Sequence, residues 1–86
     1  MEIDITGRVK EDLMFWKKGG NTSIQHKISK LIDSIFDTPY DGLGKPEPLK
    51  YELSGTWLRR INKEHRLVYE VEENRIVILS LKGHYE

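Results

Sequence analysis

The chain contains no cysteine, which excludes disulfides and thiolate metal sites. It has no apolar run near the roughly 20 residues that a membrane-spanning helix needs. The first residues, Met1-Glu2-Ile3-Asp4-Ile5, have neither the basic lead nor the apolar stretch of a signal peptide. From these absences we expect a cytoplasmic protein with no membrane partner.

Three common catalytic motifs are also absent. None of the three histidines lies in an H-E-x-x-H pattern, so no zinc site is indicated. Gly44-Lys45 is followed by Pro46 rather than by serine or threonine, which rules out a phosphate-binding P-loop. No G-x-S-x-G elbow occurs. We therefore expect neither a metal nor a cofactor.

The length and composition are those of one small folded domain. The chain has 86 residues, of which 37% are hydrophobic and 33% charged. We assign residues 1–86 to a single domain. A domain of this size buries a modest fraction of its surface, so a dimer or a bound partner would add to its stability.

The net charge is zero, which by itself argues against nucleic-acid binding. The charge is unevenly distributed, however. Residues 45–66 carry six basic and three acidic groups, a net of +3, whereas residues 1–44 and 67–86 are both net acidic. This excess fits either an ordinary solvated face or a local phosphate-binding patch, and charge alone does not decide between them.

The first half of the chain is predicted to form a strand and two helices. Residues 2–6 alternate polar and apolar, as in a strand. Val9, Leu13 and Trp16 recur at helical spacing, and Gly19-Gly20 ends that helix. A second helix is predicted to start at a capping box formed by Thr22 and Gln25 and to end before Pro39. Its apolar positions are Ile24, Ile28, Leu31, Ile32, Ile35 and Phe36.

The second half is predicted to form three strands after a loop. Glycines and prolines punctuate residues 40–48, as in a restricted loop. Residues 56–61, residues 66–71 and the apolar run 76–79 are the candidate strands. The order β-α-α-β-β-β predicts an α+β fold in which a small antiparallel sheet packs on two N-terminal helices.

Three residues have side chains suited to acid–base chemistry on a phosphodiester. Glu47 stands between two prolines that restrict its backbone, Arg66 begins an apolar strand, and His84 follows Gly83. Metal-free RNA cleavage needs a base for the ribose 2′-OH, a cation for the phosphorane and an acid for the leaving oxygen. Taken singly, each has an ordinary alternative: a loop glutamate, an ion-paired arginine and a frayed terminus.

Other residues could bind the substrate. Tyr85 offers a ring that can stack on a base. Arg59 and Arg60 follow Trp57 in a basic–aromatic cluster. Side chains alternate along a strand, so the two arginines should point to opposite faces and at most one of them can face a given substrate. We expect Trp57 to be a core or edge aromatic.

Several blocks, in this order, closely resemble the YoeB family of toxins within the RelE/YoeB superfamily. They are residues 42–50 (GLGKPEPLK), residues 53–61 (LSGTWLRRI), residues 64–69 (EHRLVY) and His84-Tyr85. The resemblance implies a RelE-like, microbial-ribonuclease-type fold and cleavage of mRNA in the ribosomal A site. It also implies a cognate antitoxin similar to YefM and a possible homodimer.

Carried over residue by residue, the resemblance implies a general base at Glu47, a general acid at His84 and a phosphate-stabilising group at Arg66. It implies that Tyr85 orients the substrate, and that the basic residues Lys50, Arg59 and Arg60 contact RNA or the ribosome. Two features depart from the family: Glu86 follows the tyrosine, and the chain is neutral. They favour the alternative that the protein is a non-catalytic ribosome- or RNA-binding module, or a repressor that acts with its antitoxin.

Overall fold

The computed structural model describes residues 2–49 and 55–83. It contains two helices and a five-stranded sheet, so the α+β prediction is confirmed. In chain order the elements are β1 (Glu2–Ile5), α1 (Gly7–Lys18), α2 (Thr22–Asp37), β2 (Glu47–Pro48), β3 (Thr56–Arg60), β4 (Arg66–Val71) and β5 (Arg75–Ser80). No helix in the described ranges is both long enough and apolar enough to cross a membrane.

Short polar side chains start both helices. The Thr6 hydroxyl accepts a hydrogen bond from the Val9 amide and caps α1. The cap of α2 is Asn21, whose side chain accepts from the Ile24 amide at 3.1 Å. The predicted capping box at Thr22 is therefore wrong by one residue. Asparagine precedes it and takes the cap, which places Thr22 in the first turn.

The sheet has the order β1-β5-β4-β3-β2, and it differs from the predicted antiparallel sheet by one parallel pair. Strand β1 pairs in parallel with β5, while the other neighbours pair antiparallel. The two helices between β1 and the rest of the sheet allow this parallel return. Glu47–Pro48, predicted as loop, adds a two-residue edge strand opposite Trp57 and Leu58. Proline is tolerated there because an edge strand leaves one row of amides unpaired.

The helices cover one face of the sheet. Buried apolar residues of α2 pack with Leu67, Tyr69, Ile76 and Ile78 in one core. Side chains alternate between faces, so Leu58, Arg60, Arg66 and Val68 point the other way. We call this second surface the distal face. The apolar spacing of α2 predicts that Phe36 lies on its buried face, but the Phe36 side chain is 49% exposed.

A tight approach fixes the segment that leads from α2 to β2. Gly44 has φ +86°, a conformation that favours glycine. A Cβ at this position would lie 2.6 Å from Leu31 Cδ2 and 3.1 Å from Arg59 Cβ. The carbonyl of Gly44 accepts a hydrogen bond from the Arg60 amide at 2.7 Å. The backbone just before Glu47 is therefore held against both α2 and β3.

Candidate active site

The strand register brings Glu47 and Arg66 to the distal face. Glu47 lies opposite Leu58, which in turn lies opposite Val68. Residues directly opposite each other share a face, and Arg66 lies two residues from Val68 on the same strand. The Cα atoms of Glu47 and Arg66 are then separated by two strands and two residues, or about 12 Å from standard sheet spacings. Side chains of these lengths can act on one substrate placed between them.

Arg66 is mostly buried and held by the backbone. Its Nη1 donates to the carbonyls of Asn62 at 2.6 Å, His65 at 3.2 Å and Lys63 at 3.4 Å. Its Nε and Nη2 form no hydrogen bond to the part of the chain that the structure describes. One nitrogen therefore fixes the guanidinium, whose planar group has the fork-like shape that can grip a phosphate.

The segment 81–83 lies alongside Arg66. The Arg66 amide donates to the Gly83 carbonyl at 2.9 Å. The Gly83 amide donates to His65 Nδ1 at 3.0 Å, which requires that nitrogen to be unprotonated. The His65 ring meets Trp16 edge-on with centroids 4.8 Å apart. Gly83, the residue before His84 in the sequence, is therefore tied to both Arg66 and His65.

Helix α1 holds the same segment from the other side. The buried Asp12 carboxylate accepts from the Leu81 amide at 2.9 Å, and Trp16 Nε1 donates to the Leu81 carbonyl at 3.1 Å. The Lys82 ammonium lies 3.9 Å from the centroid of the Phe15 ring. These contacts join α1, the end of β5 and β4 into one support.

A bulge in the sheet shapes this support. Val68 pairs with Ser80 but Tyr69 pairs with Ile78, so Leu79 is the extra residue in β5. Bulges re-aim the residues that follow them and are frequent beside functional sites. Here the bulge directly precedes the segment 81–83.

Arg59 is buried inside the protein, which corrects its prediction as an RNA contact. Its side chain is fully buried on the helix side of the sheet. Its Nε donates to the Tyr69 hydroxyl at 3.1 Å. The two Nη atoms donate to the Ser34 hydroxyl and to the carbonyls of Leu43, Thr38 and Asp41, at 2.6–3.0 Å. Alternation along β3 leaves Arg60 exposed on the distal face, as predicted.

Tyr69 completes this buried network. Its hydroxyl donates to the Pro39 carbonyl at 2.7 Å while it accepts from Arg59. Burial raises the pKa of the Tyr69 phenol above its ordinary value, against a smaller opposing effect of the hydrogen bond from Arg59. A raised phenol pKa means that folding favours the protonated form. This contribution to stability is present below the ordinary tyrosine range and is lost as pH rises through the raised value.

Three predicted site residues, Lys50, His84 and Tyr85, lie outside the described residues.

Trp57 lies half-buried against the core, as expected for a core or edge aromatic. Its ring packs on that of Tyr40, with the ring centroids 5.1 Å apart. Within residues 2–49 and 55–83, no group of three or more His, Asp or Glu side chains is arranged to hold a metal ion.

Sequence reasoning missed Asp12 and His65 as supports of the site. Asp12 falls between Val9 and Trp16 on the buried stripe of α1. A carboxylate on an apolar stripe needs a buried partner and was a usable signal. His65 gave none, because only the folded chain brings it to Gly83.

Known toxins match this chain in sequence and in structure. A family model described as YoeB-like toxin of bacterial type II toxin-antitoxin system matches residues 6–85. Toxin YoeB of Synechocystis is 46% identical over 71 residues, 83% of each chain. The YoeB/ParE toxin from Agrobacterium tumefaciens superposes with a TM-score of 0.91 at 39% identity, covering 99% of this chain and 100% of that one.

The YoeB of Staphylococcus aureus has been solved both as a dimer and in a heterotetrameric complex with YefM. The dimer matches with a TM-score of 0.89 and the complex with 0.85. Both are 41% identical and cover 99% of this chain and 98% of that one. Since the family model spans nearly the whole chain and the relatives agree with it, the chain belongs to the YoeB-like toxins of bacterial type II toxin–antitoxin systems.

Proposed function

We propose that this toxin is a ribosome-dependent endoribonuclease that cuts mRNA in the ribosomal A site by acid–base catalysis. The observation that carries the proposal is the common position of Glu47 and Arg66 on the distal face, with two guanidinium nitrogens of Arg66 unoccupied within the described structure. Ribosomes lie in the cytoplasm, so this is where we expect the toxin to act.

In the proposed reaction, Glu47 takes the proton from the ribose 2′-OH. The 2′-oxygen attacks phosphorus, and Arg66 stabilises the negative charge that builds up on the phosphoryl oxygens. His84 gives a proton to the departing 5′-oxygen, and Tyr85 stacks on a base beside it. The products are a 2′,3′-cyclic phosphate and a 5′-hydroxyl. Lys50 and Arg60 contact the RNA or the ribosome.

The family relationship also supports two partners. The Staphylococcus aureus toxin forms a complex with YefM and a dimer. We propose that a YefM-like antitoxin neutralises this toxin and that the toxin can form a homodimer.

The test is to map mRNA ends by primer extension in a purified translation system. New 5′-hydroxyl ends that require both toxin and ribosomes are expected. Arrest of translation without new ends would instead favour the non-catalytic binding module.

We expect His65→Phe to lower the cleavage rate about tenfold, since a small misplacement of a catalytic group costs rate steeply. Phenylalanine keeps the ring against Trp16 but removes the Nδ1 atom that accepts from Gly83. Folding stability should fall by only about 1 kcal/mol, the usual contribution of one hydrogen bond. Single-turnover rates at saturating ribosomes and urea unfolding measure the two effects.

His65→Asn serves as the conservative control, because its amide oxygen can accept near the former Nδ1 position. It should recover part of the lost rate. A His65→Phe protein that cleaves like wild type would show that the tie at Gly83 has no positioning role.

A further inference from the structure

A strongly basic cleft lies where β3 ends and β4 begins. It has a volume of about 440 Å³ and is bounded on one side by α2. The cationic residues in its lining are Lys27, Lys45, Arg60, Lys63 and Arg66. Among the described residues, no aspartate or glutamate lines it. A neutral protein thus concentrates five positive charges around one concave surface.

Nothing in the described ranges neutralises these charges. None of the five side chains forms an ion pair with a carboxylate there. Arg60 and Arg66 even lie directly opposite each other across β3 and β4. Like charges in such a pair destabilise a sheet. A bound anion would relieve the repulsion between these two guanidinium groups.

Backbone strain marks the same cleft. Lys45 has φ +52°, whereas every other positive φ within residues 2–49 and 55–83 belongs to a glycine. The left-handed region is unfavourable for a lysine, and a following proline further disfavours helical backbone. Strained residues of this kind cluster at ligand-binding and catalytic sites. Lys45 also stands two residues before Glu47, so the cleft adjoins the strand that bears the proposed base.

We propose that this cleft binds backbone phosphates of RNA next to the bond that is cut, with Lys27, Lys45 and Lys63 as positioning residues. The inference rests on the proposed action on RNA. Arg66 belongs both to the cleft and to the distal face, so an RNA strand whose reacting phosphate lies at Arg66 can continue into the cleft. Flexible lysines act as point charges and suit a backbone of repeated phosphates, whatever its base sequence.

The test is the salt dependence of binding to a short RNA that carries a 2′-deoxy nucleotide at the cleavage position, which prevents cleavage. Fluorescence anisotropy gives the dissociation constant between low and moderate salt. For single strands, the slope of log affinity against log salt falls by about 0.7 for each phosphate contact removed. Lys27→Ala and Lys63→Ala should each lower the slope by about that amount. In a second arm, the same salt dependence is measured for binding to ribosomes that carry no mRNA. This arm distinguishes contacts with ribosomal RNA from contacts with the mRNA strand that is cut.

Two variants keep the test free of folding effects. Lys10→Ala removes the same charge from α1, away from the cleft, and should leave the slope at the wild-type value. Lys45→Gly removes a cation from the cleft and also suits the positive φ, so weaker binding by this variant cannot come from strain. A reduced slope with the short RNA supports phosphates of the cut strand as the ligand, whereas a slope reduced only with ribosomes would assign the cleft to ribosomal RNA and overturn the proposal.

The inference is overturned if the cleft variants match Lys10→Ala in both arms. It is equally overturned if they lose affinity only for a polyglutamate peptide, since the cleft would then serve an acidic protein. The two proposals fail separately. Reduced slopes without mRNA cleavage would contradict the proposed ribonuclease activity but support the RNA-binding cleft. Cleavage with unchanged slopes would support the ribonuclease activity and contradict the cleft.

Discussion

Glu47→Gln and His84→Gln are each expected to lower the rate of mRNA cleavage by about 10²–10⁴-fold, the usual contribution of a positioned acid or base. Glutamine at position 47 keeps the size of glutamate but cannot take a proton from the 2′-OH. Glutamine at position 84 cannot deliver one to the 5′-oxygen. Because Glu47 is exposed on a two-residue edge strand, its replacement should leave folding stability within about 0.5 kcal/mol. Single-turnover cleavage on programmed ribosomes measures the rates.

Matched controls are available elsewhere in the chain. Glu73→Gln changes an exposed glutamate in the turn before β5, and His26→Gln changes an exposed histidine on α2. Both should cleave within about twofold of wild type, as surface substitutions away from a site generally do. If Glu47→Gln cleaves as fast as Glu73→Gln, the base must be another residue. The same comparison of His84→Gln with His26→Gln tests the acid.

The local elements could be predicted from the sequence because their signals are local. Hydrophobic spacing gave α2, and the turn residues gave the limits of β4. The mixed sheet could not be predicted in this way. The parallel pairing of Ile3 with Ile76 joins the two ends of the chain, and no short sequence pattern encodes such a contact.

The candidate site shows the same division. The residue types and the family resemblance indicated Glu47 and Arg66, and alternation indicated that the neighbouring arginines Arg59 and Arg60 face opposite ways. Which of the two is buried depends on the helix layer, because α2 covers Tyr69 and brings the Ser34 hydroxyl to Arg59. The hydrogen bonds of Asp12 and His65 to the segment 81–83 depend on how the folded chain places that segment beside α1 and β4. They are therefore properties of the tertiary structure.

Arg59→Met is expected to destabilise the fold by about 3 kcal/mol, because it removes the fully buried donor of a buried and part-buried hydrogen-bond network. Methionine fills part of the volume but cannot replace the five hydrogen bonds of the guanidinium. The carbonyls of Thr38, Leu43 and Asp41 would lose a partner in the segment that leads to Glu47. Urea unfolding followed by tryptophan fluorescence measures the loss.

Arg60→Met is the matched control, since it makes the same change one residue further along β3 on an exposed side chain. It should alter stability by less than about 0.5 kcal/mol but weaken RNA binding and flatten its salt dependence. Arg59→Met should show the opposite pattern, with lower stability and, below its unfolding midpoint, an unchanged salt slope. Equal stability of the two variants would contradict the buried role of Arg59. The contrast follows from one alternation of β3, which places one arginine among the backbone carbonyls of the interior and the next at the basic cleft.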